Sequence, residues 1–232
     1  MCSTHNKARN RDLCARLIAE ATGNGAQLVC LPECCAFMGK TAVETLGAAE
    51  DLSLHQSDPA KVTTMQYFRE LAVRNDVWLS LGGVQELRPD LGYNKISNAH
   101  VIIAPDGAVK AIYRKIHLFD APSANLMESK TTAPGDEPMV VDMGFAKVGL
   151  SVCYDLRFPE LYAHMRNNMG ADVFLIPSAF TVRTGAAHWE VLLRSRAIEN
   201  QCVVVAPAQY GSHNEHRTSY GHTMIVDPWG TV

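Results

Sequence analysis

Apolar residues recur along this chain in two rhythms. Over residues 10–21 they fall three or four apart, with Leu13, Leu17 and Ile18 on one side, and predict a helix that Gly23-Asn24-Gly25 stops. Residues 60–75 repeat the spacing through Met65, Phe68, Leu71 and Ala72. Residues 158–169 and 187–200 read as two further helices. Between them lie short, nearly continuous apolar runs of strand length: 27–31, 77–81 (closed by Gly82-Gly83), 148–153, 172–176, 202–206 and 218–226. Residues 98–104 and 108–113 flank Pro105-Asp106-Gly107, a strong hairpin signal. Residues 120–137 show no periodicity and read as a long loop, and loops of that length are often functional. The order is mostly strand, helix, strand, with strands apolar throughout. That predicts an α/β architecture with a buried sheet. No repeat and no linker composition interrupts it, so one domain over 1–232 is expected.

Composition narrows the classes. The 232 residues are 47% apolar and 19% charged, the balance of a folded chain. A net charge of −3 offers no basic excess for nucleic acid or an anionic membrane, so neither is expected as a partner. No run approaches the ~18 apolar residues of a membrane span. The first residues, Met-Cys-Ser-Thr-His-Asn-Lys, carry no secretory core. Seven cysteines, odd in number and irregular in spacing, argue against a disulfide framework and for a reducing compartment. An intracellular, cytoplasmic protein is expected, with a mitochondrial form left open.

Three residues carry candidate chemistry. Cys153 ends an apolar run just before Asp155-Leu-Arg-Phe-Pro-Glu160, which reads as the opening of a helix. A sharp strand-to-helix turn exposes the residue at the turn, and nearby backbone N–H groups favour a thiolate and an oxyanion. Glu33 lies just past the strand ending Leu31-Pro32, at a sheet edge where α/β folds bind ligands. Lys115 ends the second hairpin strand, where a cation can face a developing oxyanion. Taken singly, each has a simpler reading: a core cysteine, a loop carboxylate, a solvated lysine. His213, His216 and His222 lack the further ligands of a zinc site, so no metal is expected.

Taken together, Glu33 in Leu-Pro-Glu, Lys115 in Tyr-Arg-Lys-Ile-His-Leu and Cys153 in Val-Cys-Tyr-Asp-Leu-Arg-Phe-Pro-Glu resemble the Glu–Lys–Cys triad of the nitrilase superfamily of carbon-nitrogen hydrolases. Three motifs in the right order are far more specific than one. The likeness continues through Pro177-Ser-Ala-Phe180, His188-Trp-Glu190 and Asp227-Pro-Trp-Gly230. Within the superfamily the chain is most similar to the deaminated glutathione amidase branch, with the omega-amidases second. The resemblance implies a four-layer αββα sandwich, two mixed sheets flanked by helices, assembled into homodimers or higher homo-oligomers. Members begin with a core strand ahead of the position of Ser3 and continue past Val232, so the chain reads as truncated at both ends.

The resemblance also implies the chemistry. A cysteine-dependent amidase needs no cofactor: Glu33 is the base, Cys153 the nucleophile, and Lys115 with the Tyr154 N–H the oxyanion partners. A second glutamate is implied in a Glu-Ser context between lysine and cysteine, which Glu128-Ser129 matches. The implied substrate is a small amide carrying carboxylates, deaminated glutathione first, cleaved to α-ketoglutarate and cysteinylglycine. Alternatives are an omega-amidase acting on α-ketoglutaramate and a non-catalytic scaffold. Arg157, Arg183 and Thr184 are candidate substrate contacts, with a structural ion pair at the elbow the simpler role for Arg157.

Overall fold

In the computed structural model, which describes residues 1–52, 63–91, 95–121 and 126–232, strands from the two halves of the chain form two mixed sheets stacked face to face. Helix α1 (Lys7–Gly23) starts earlier than its apolar spacing suggests, because the Asn6 side chain accepts the Arg9 N–H at 3.0 Å and caps it. Its buried line is Asn10, Cys14 and Ile18, one residue every four, with Leu13 and Leu17 half-buried beside it. Then come β1 (Leu28–Leu31), a short helix α2 (Ala42–Gly47) with no apolar signal, and α3 (Thr64–Asn75). A Thr63/Gln66 capping box sets the start of α3, and residues 60–62 of the predicted helix lie outside the described residues. Strands β2 (Trp78–Leu87), β3 (Ile96–Ile103) and β4 (Val109–Arg114) complete a sheet in the order β1-β2-β3-β4, with β1 parallel to β2 and the rest antiparallel.

The expected loop over 120–137 holds β5 (Asp120–Ala121) paired with β6 (Leu126–Met127), then a 3-10 turn, Glu128–Lys130. Strand β7 (Met139–Asp142), which sequence patterning misses, pairs with β8 (Lys147–Leu150). Helix α4 (Pro159–Asn167), β9 (Val173–Leu175), α5 (Val182–Asn200) and β10 (Val203–Ala206) come next. The expected strand over 218–226 is two strands. Gly221 and His222 take positive φ (84° and 61°) and turn the chain between β12 (Thr218–Tyr220), which pairs with β11 (Tyr210–Ser212), and β13 (Met224–Val226), which pairs with β10. The second sheet runs β13-β10-β9-β8-β7.

Alternation along the strands builds three apolar layers. Val29, Leu31, Leu79, Leu81, Val101 and Ile103 meet Ile18, Phe68 and Leu71 of the helices over the first sheet. The alternate positions Ile102 and Tyr113 meet Val148, Leu150 and Leu175 between the sheets. Phe174, Val204 and Ala206 meet Tyr162, Met165, Trp189 and Leu193 of α4 and α5. Strands covered on both faces need apolar residues at odd and even positions alike, which is why their runs are continuous. The expected four-layer sandwich is therefore present. No helix among the described residues is long and apolar enough to cross a membrane.

One polar residue ties the layers together. His100 is fully buried between the sheets, with Nε2 2.7 Å from Ser80 Oγ and Nδ1 2.9 Å from the Ser151 carbonyl oxygen. Burial pulls its pKa down from 6.5 to about 4. The unfolded chain therefore binds a proton that the folded chain refuses across that window. The folded state is favoured above pH 6.5 and loses stability as pH falls toward 4. At about 1.4 kcal/mol per unit the loss is on the order of 3 kcal/mol. Urea unfolding at pH 7.5 and 4.5 should show a stability gap between wild type and His100→Asn that changes across this window. A pH-independent gap would place the proton elsewhere.

Candidate active site

The site forms where the residues that follow β1, β4 and β8 converge. Pro32 stops β1, and Glu33 follows it into the interior, 4% exposed. The chain then turns through Cys34 at φ 58°. Gly82 and Gly83 do not end β2. They form a bulge, where the β2–β3 register shifts between Leu81 and Val84. At Gly83 (φ 64°) a Cβ would lie 2.8 Å from Glu33 Cγ and 2.7 Å from Asn98 Oδ1, so only glycine lets the backbone pass this close.

Lys115 is the first residue past β4, its N–H bonded to the Asn98 carbonyl at 2.9 Å, its side chain 2% exposed. The Lys115 ammonium lies 2.9 and 3.2 Å from the Glu128 carboxylate oxygens and 3.4 Å from Glu33 Oε1. Glu128 also accepts the Phe119 N–H at 2.8 Å, which ties the long loop to the lysine. The Asn98 amide, absent from the sequence candidates, donates to Glu33 at 2.9 Å and to Glu128 at 3.2 Å. An asparagine inside an apolar strand is the available signal for it.

Cys153 sits at φ 49°, a left-handed conformation rare for a residue with a side chain, and its N–H bonds the Pro177 carbonyl at 3.0 Å. The chain runs on from it as a 3-10 turn, Cys153–Arg157, while α4 opens only at Pro159. The helix begins within one residue of the expected 158, because Pro159 is well placed to start a helix and poorly placed inside one. Asp155 fixes the turn. Fully buried, its carboxylate accepts from the Val152 N–H (2.8 Å), the His117 N–H (2.9 Å) and the Tyr113 hydroxyl (2.8 Å), with His117 Nδ1 also at 2.8 Å. His117 in turn stacks on Phe158, ring centroids 3.6 Å apart.

The electrostatics divide the roles. Burial raises the Cys153 pKa well above the ordinary thiol value, and the Glu33 charge adds to it. Burial alone would raise Glu33, but the Lys115 and Arg217 charges and hydrogen bonds from Cys153 and Asn98 outweigh it and hold the carboxyl below its usual range. Burial would lower Lys115, but Glu128 and Glu33 hold its ammonium well above the ordinary value. At rest the site holds a neutral thiol near an ionised glutamate and a charged lysine. Arg217, the residue just before β12, is a cation that the sequence reading misses.

The remaining candidates separate. Tyr154 packs against Phe119 and Phe158 directly after Cys153. The Arg157 guanidinium lies over the Tyr154 and Phe180 rings, 3.2 Å from His188 Nδ1, and among the described residues no carboxylate pairs with it. The expected ion pair at the elbow is absent because Asp155 is taken by His117, Tyr113 and backbone donors. Thr184 packs its hydroxyl 2.9 Å from Thr181 Oγ1 in the cap of α5, and Arg183 is exposed beside it. His213 is a buried clasp, with Nδ1 2.8 Å from the Ser3 carbonyl and Nε2 2.8 Å from Ser219 Oγ. No group of three His, Cys, Asp or Glu placed to hold a metal occurs among the described residues.

Known proteins resemble this chain in sequence and fold. The chain is 46% identical over 236 residues to deaminated glutathione amidase of Dictyostelium discoideum, covering 99% of this chain and 79% of that one. The crystal structure of the C. elegans NitFhit protein superposes with a TM-score of 0.90 at 43% identity, over all of this chain and 55% of that larger one. An amidase variant from Nesterenkonia sp. AN1, with acrylamide added at its active site cysteine, superposes at 0.78 with 25% identity, covering all of this chain and 84% of that one. The model of the carbon-nitrogen hydrolase family matches residues 1–232 from end to end, and the chain belongs to that family.

Proposed function

We propose that this hydrolase is a cysteine amidase that cleaves deaminated glutathione to α-ketoglutarate and cysteinylglycine. The observation that carries the chemistry is the cluster in which the Lys115 ammonium bridges the Glu33 and Glu128 carboxylates beside the Cys153 thiol. The 46% identity to a deaminated glutathione amidase supports the substrate.

In the proposed cycle the Glu33 carboxylate takes the Cys153 proton as sulfur attacks the amide carbon. The oxygen becomes an anion beside the Lys115 ammonium and the Tyr154 N–H, which stabilise it. As the carbon–nitrogen bond breaks, Glu33 returns the proton to the leaving amine and a thioester remains on Cys153. Glu33 then deprotonates water, which attacks the thioester. Collapse expels the thiolate, which recovers its proton, and the carboxylic acid leaves. Glu128 holds Lys115 throughout. Arg157, stacked but without a carboxylate, is the proposed contact for a substrate carboxylate.

The test is α-ketoglutarate release from deaminated glutathione, with α-ketoglutaramate run beside it on wild type and Arg157→Ala. The expected result is a higher kcat/KM for deaminated glutathione, and a KM raised on the order of tenfold in the variant with kcat less affected. Preference for α-ketoglutaramate would move the chain to omega-amidase chemistry. No turnover of either amide would overturn the proposal.

A further inference from the structure

Two carboxylates share one ammonium in this site, and that imbalance needs an explanation. Glu33 and Glu128 both face Lys115, while Cys153 is neutral. In a buried site two such carboxylates tend to hold a proton between them, and a protonated Glu33 cannot serve as a base. Something must supply donors to both.

Asn98 meets the requirement. Its Nδ2 has two N–H bonds to give and lies 2.9 Å from Glu33 Oε1 and 3.2 Å from Glu128 Oε1. Its backbone carbonyl receives the Lys115 main-chain N–H at 2.9 Å, so one residue of β3 bonds both carboxylates and the backbone that carries the lysine. The amide's orientation follows from the chemistry. Turned the other way, Oδ1 would face two carboxylates, acceptor against acceptor. As it stands, Oδ1 is buried against Gly83 and has no hydrogen-bond partner among the described residues. A buried orphan acceptor is costly, and the fold accepts it here in order to aim both donors at the glutamates.

We propose that Asn98 is a positioning residue whose amide bridges the two carboxylates and keeps Glu33 ionised beside the lysine they share. The inference rests on the reading of Glu33 as the base. The groups facing the pair are Lys115 past β4, Cys34 in the turn after Glu33, Cys153 at the elbow and Arg217 before β12. Arg217 adds positive charge that acts on Glu33 and Cys34.

The experiment follows the pH dependence of Cys153 alkylation by iodoacetamide, which needs no substrate, alongside kcat/KM. In Asn98→Leu, which has a similar volume and no donors, the acid limb of both profiles should move up by one pH unit or more, with kcat reduced at least tenfold at pH 7 and KM little changed. Asn98→Asp keeps the shape but adds a third carboxylate, and should move the limb further. Circular dichroism identifies variants that fail to fold; should Asn98→Leu fail, Asn98→Asp carries the test. A folded variant whose acid limb stays at the wild-type pH overturns the bridge, however far kcat falls. Glu33→Gln is the control. If it leaves alkylation and its pH profile unchanged, the assignment of the base fails and the bridge with it. If it removes the acid limb while Asn98→Leu and Asn98→Asp do not move it, the base stands and the bridge alone falls.

Discussion

Cys153→Ala is expected to reduce amide turnover by a factor on the order of 10⁴ or more while leaving the protein folded. The magnitude comes from the role. Removing a covalent nucleophile leaves only binding and oxyanion donors, and losses of this order are typical of such groups acting as a unit. The fold should survive because the sulfur is not a keystone of the core. Cys153 is half-buried, and the elbow is held by its backbone bond to Pro177 and by Asp155 rather than by the thiol. Alanine at φ 49° is strained much as cysteine is, so backbone strain changes little. The measurement is kcat/KM on the preferred amide with a thermal melt of the same sample. Turnover within tenfold of wild type, by a variant free of contaminating enzyme, would remove Cys153 from the nucleophile role.

Asp155→Ala should be the most damaging substitution for stability among the residues around the site. Four donors lose their acceptor at once: the Val152 and His117 N–H groups, the Tyr113 hydroxyl and His117 Nδ1. Breaking a buried, hydrogen-bonded charge of this kind costs about 3–5 kcal/mol, a large part of the roughly 5–15 kcal/mol that holds an ordinary domain together. The damage also reaches the chemistry, since the turn that aims Cys153 loses its anchor. Asp155→Asn keeps the volume but puts an amide N–H₂ among donors, and should recover only part of either property. The check is a denaturant melt together with the rate of Cys153 alkylation at fixed pH. A variant with both within error of wild type would show that the carboxylate does not hold the elbow.

The elements legible from sequence are those whose local pattern carries its own physics. The β3–β4 hairpin is legible because Pro105-Asp106-Gly107 requires a turn and Gly107 takes φ 79°. The core strands are legible because burial on both faces leaves an uninterrupted apolar run. Elements that escape lack such a signal. Helix α2 buries no residue, and β7 is only partly covered, so neither has a period to detect. The end of β2 is misplaced by its sequence because Gly82-Gly83, which alone reads as a stop, is a bulge serving close packing around Glu33.

In the site, Glu33, Lys115 and Cys153 are legible through three separate motifs, and Glu128 through the same resemblance. The sequence by itself determined most secondary elements, the family and the chemical types present: a thiol, two carboxylates and a lysine. Tertiary structure decided which states those groups hold. Thiol and carboxylate have ordinary properties in a short peptide. Their departures here come from burial, from a shared ammonium and from charges and hydrogen bonds supplied by residues far away in the chain, Arg217 and Asn98 among them. Electrostatic interactions act through space and strengthen where water is excluded. Neither distance nor burial is written in the order of residues, so the charge state of the site appears only once the sheets have closed over it.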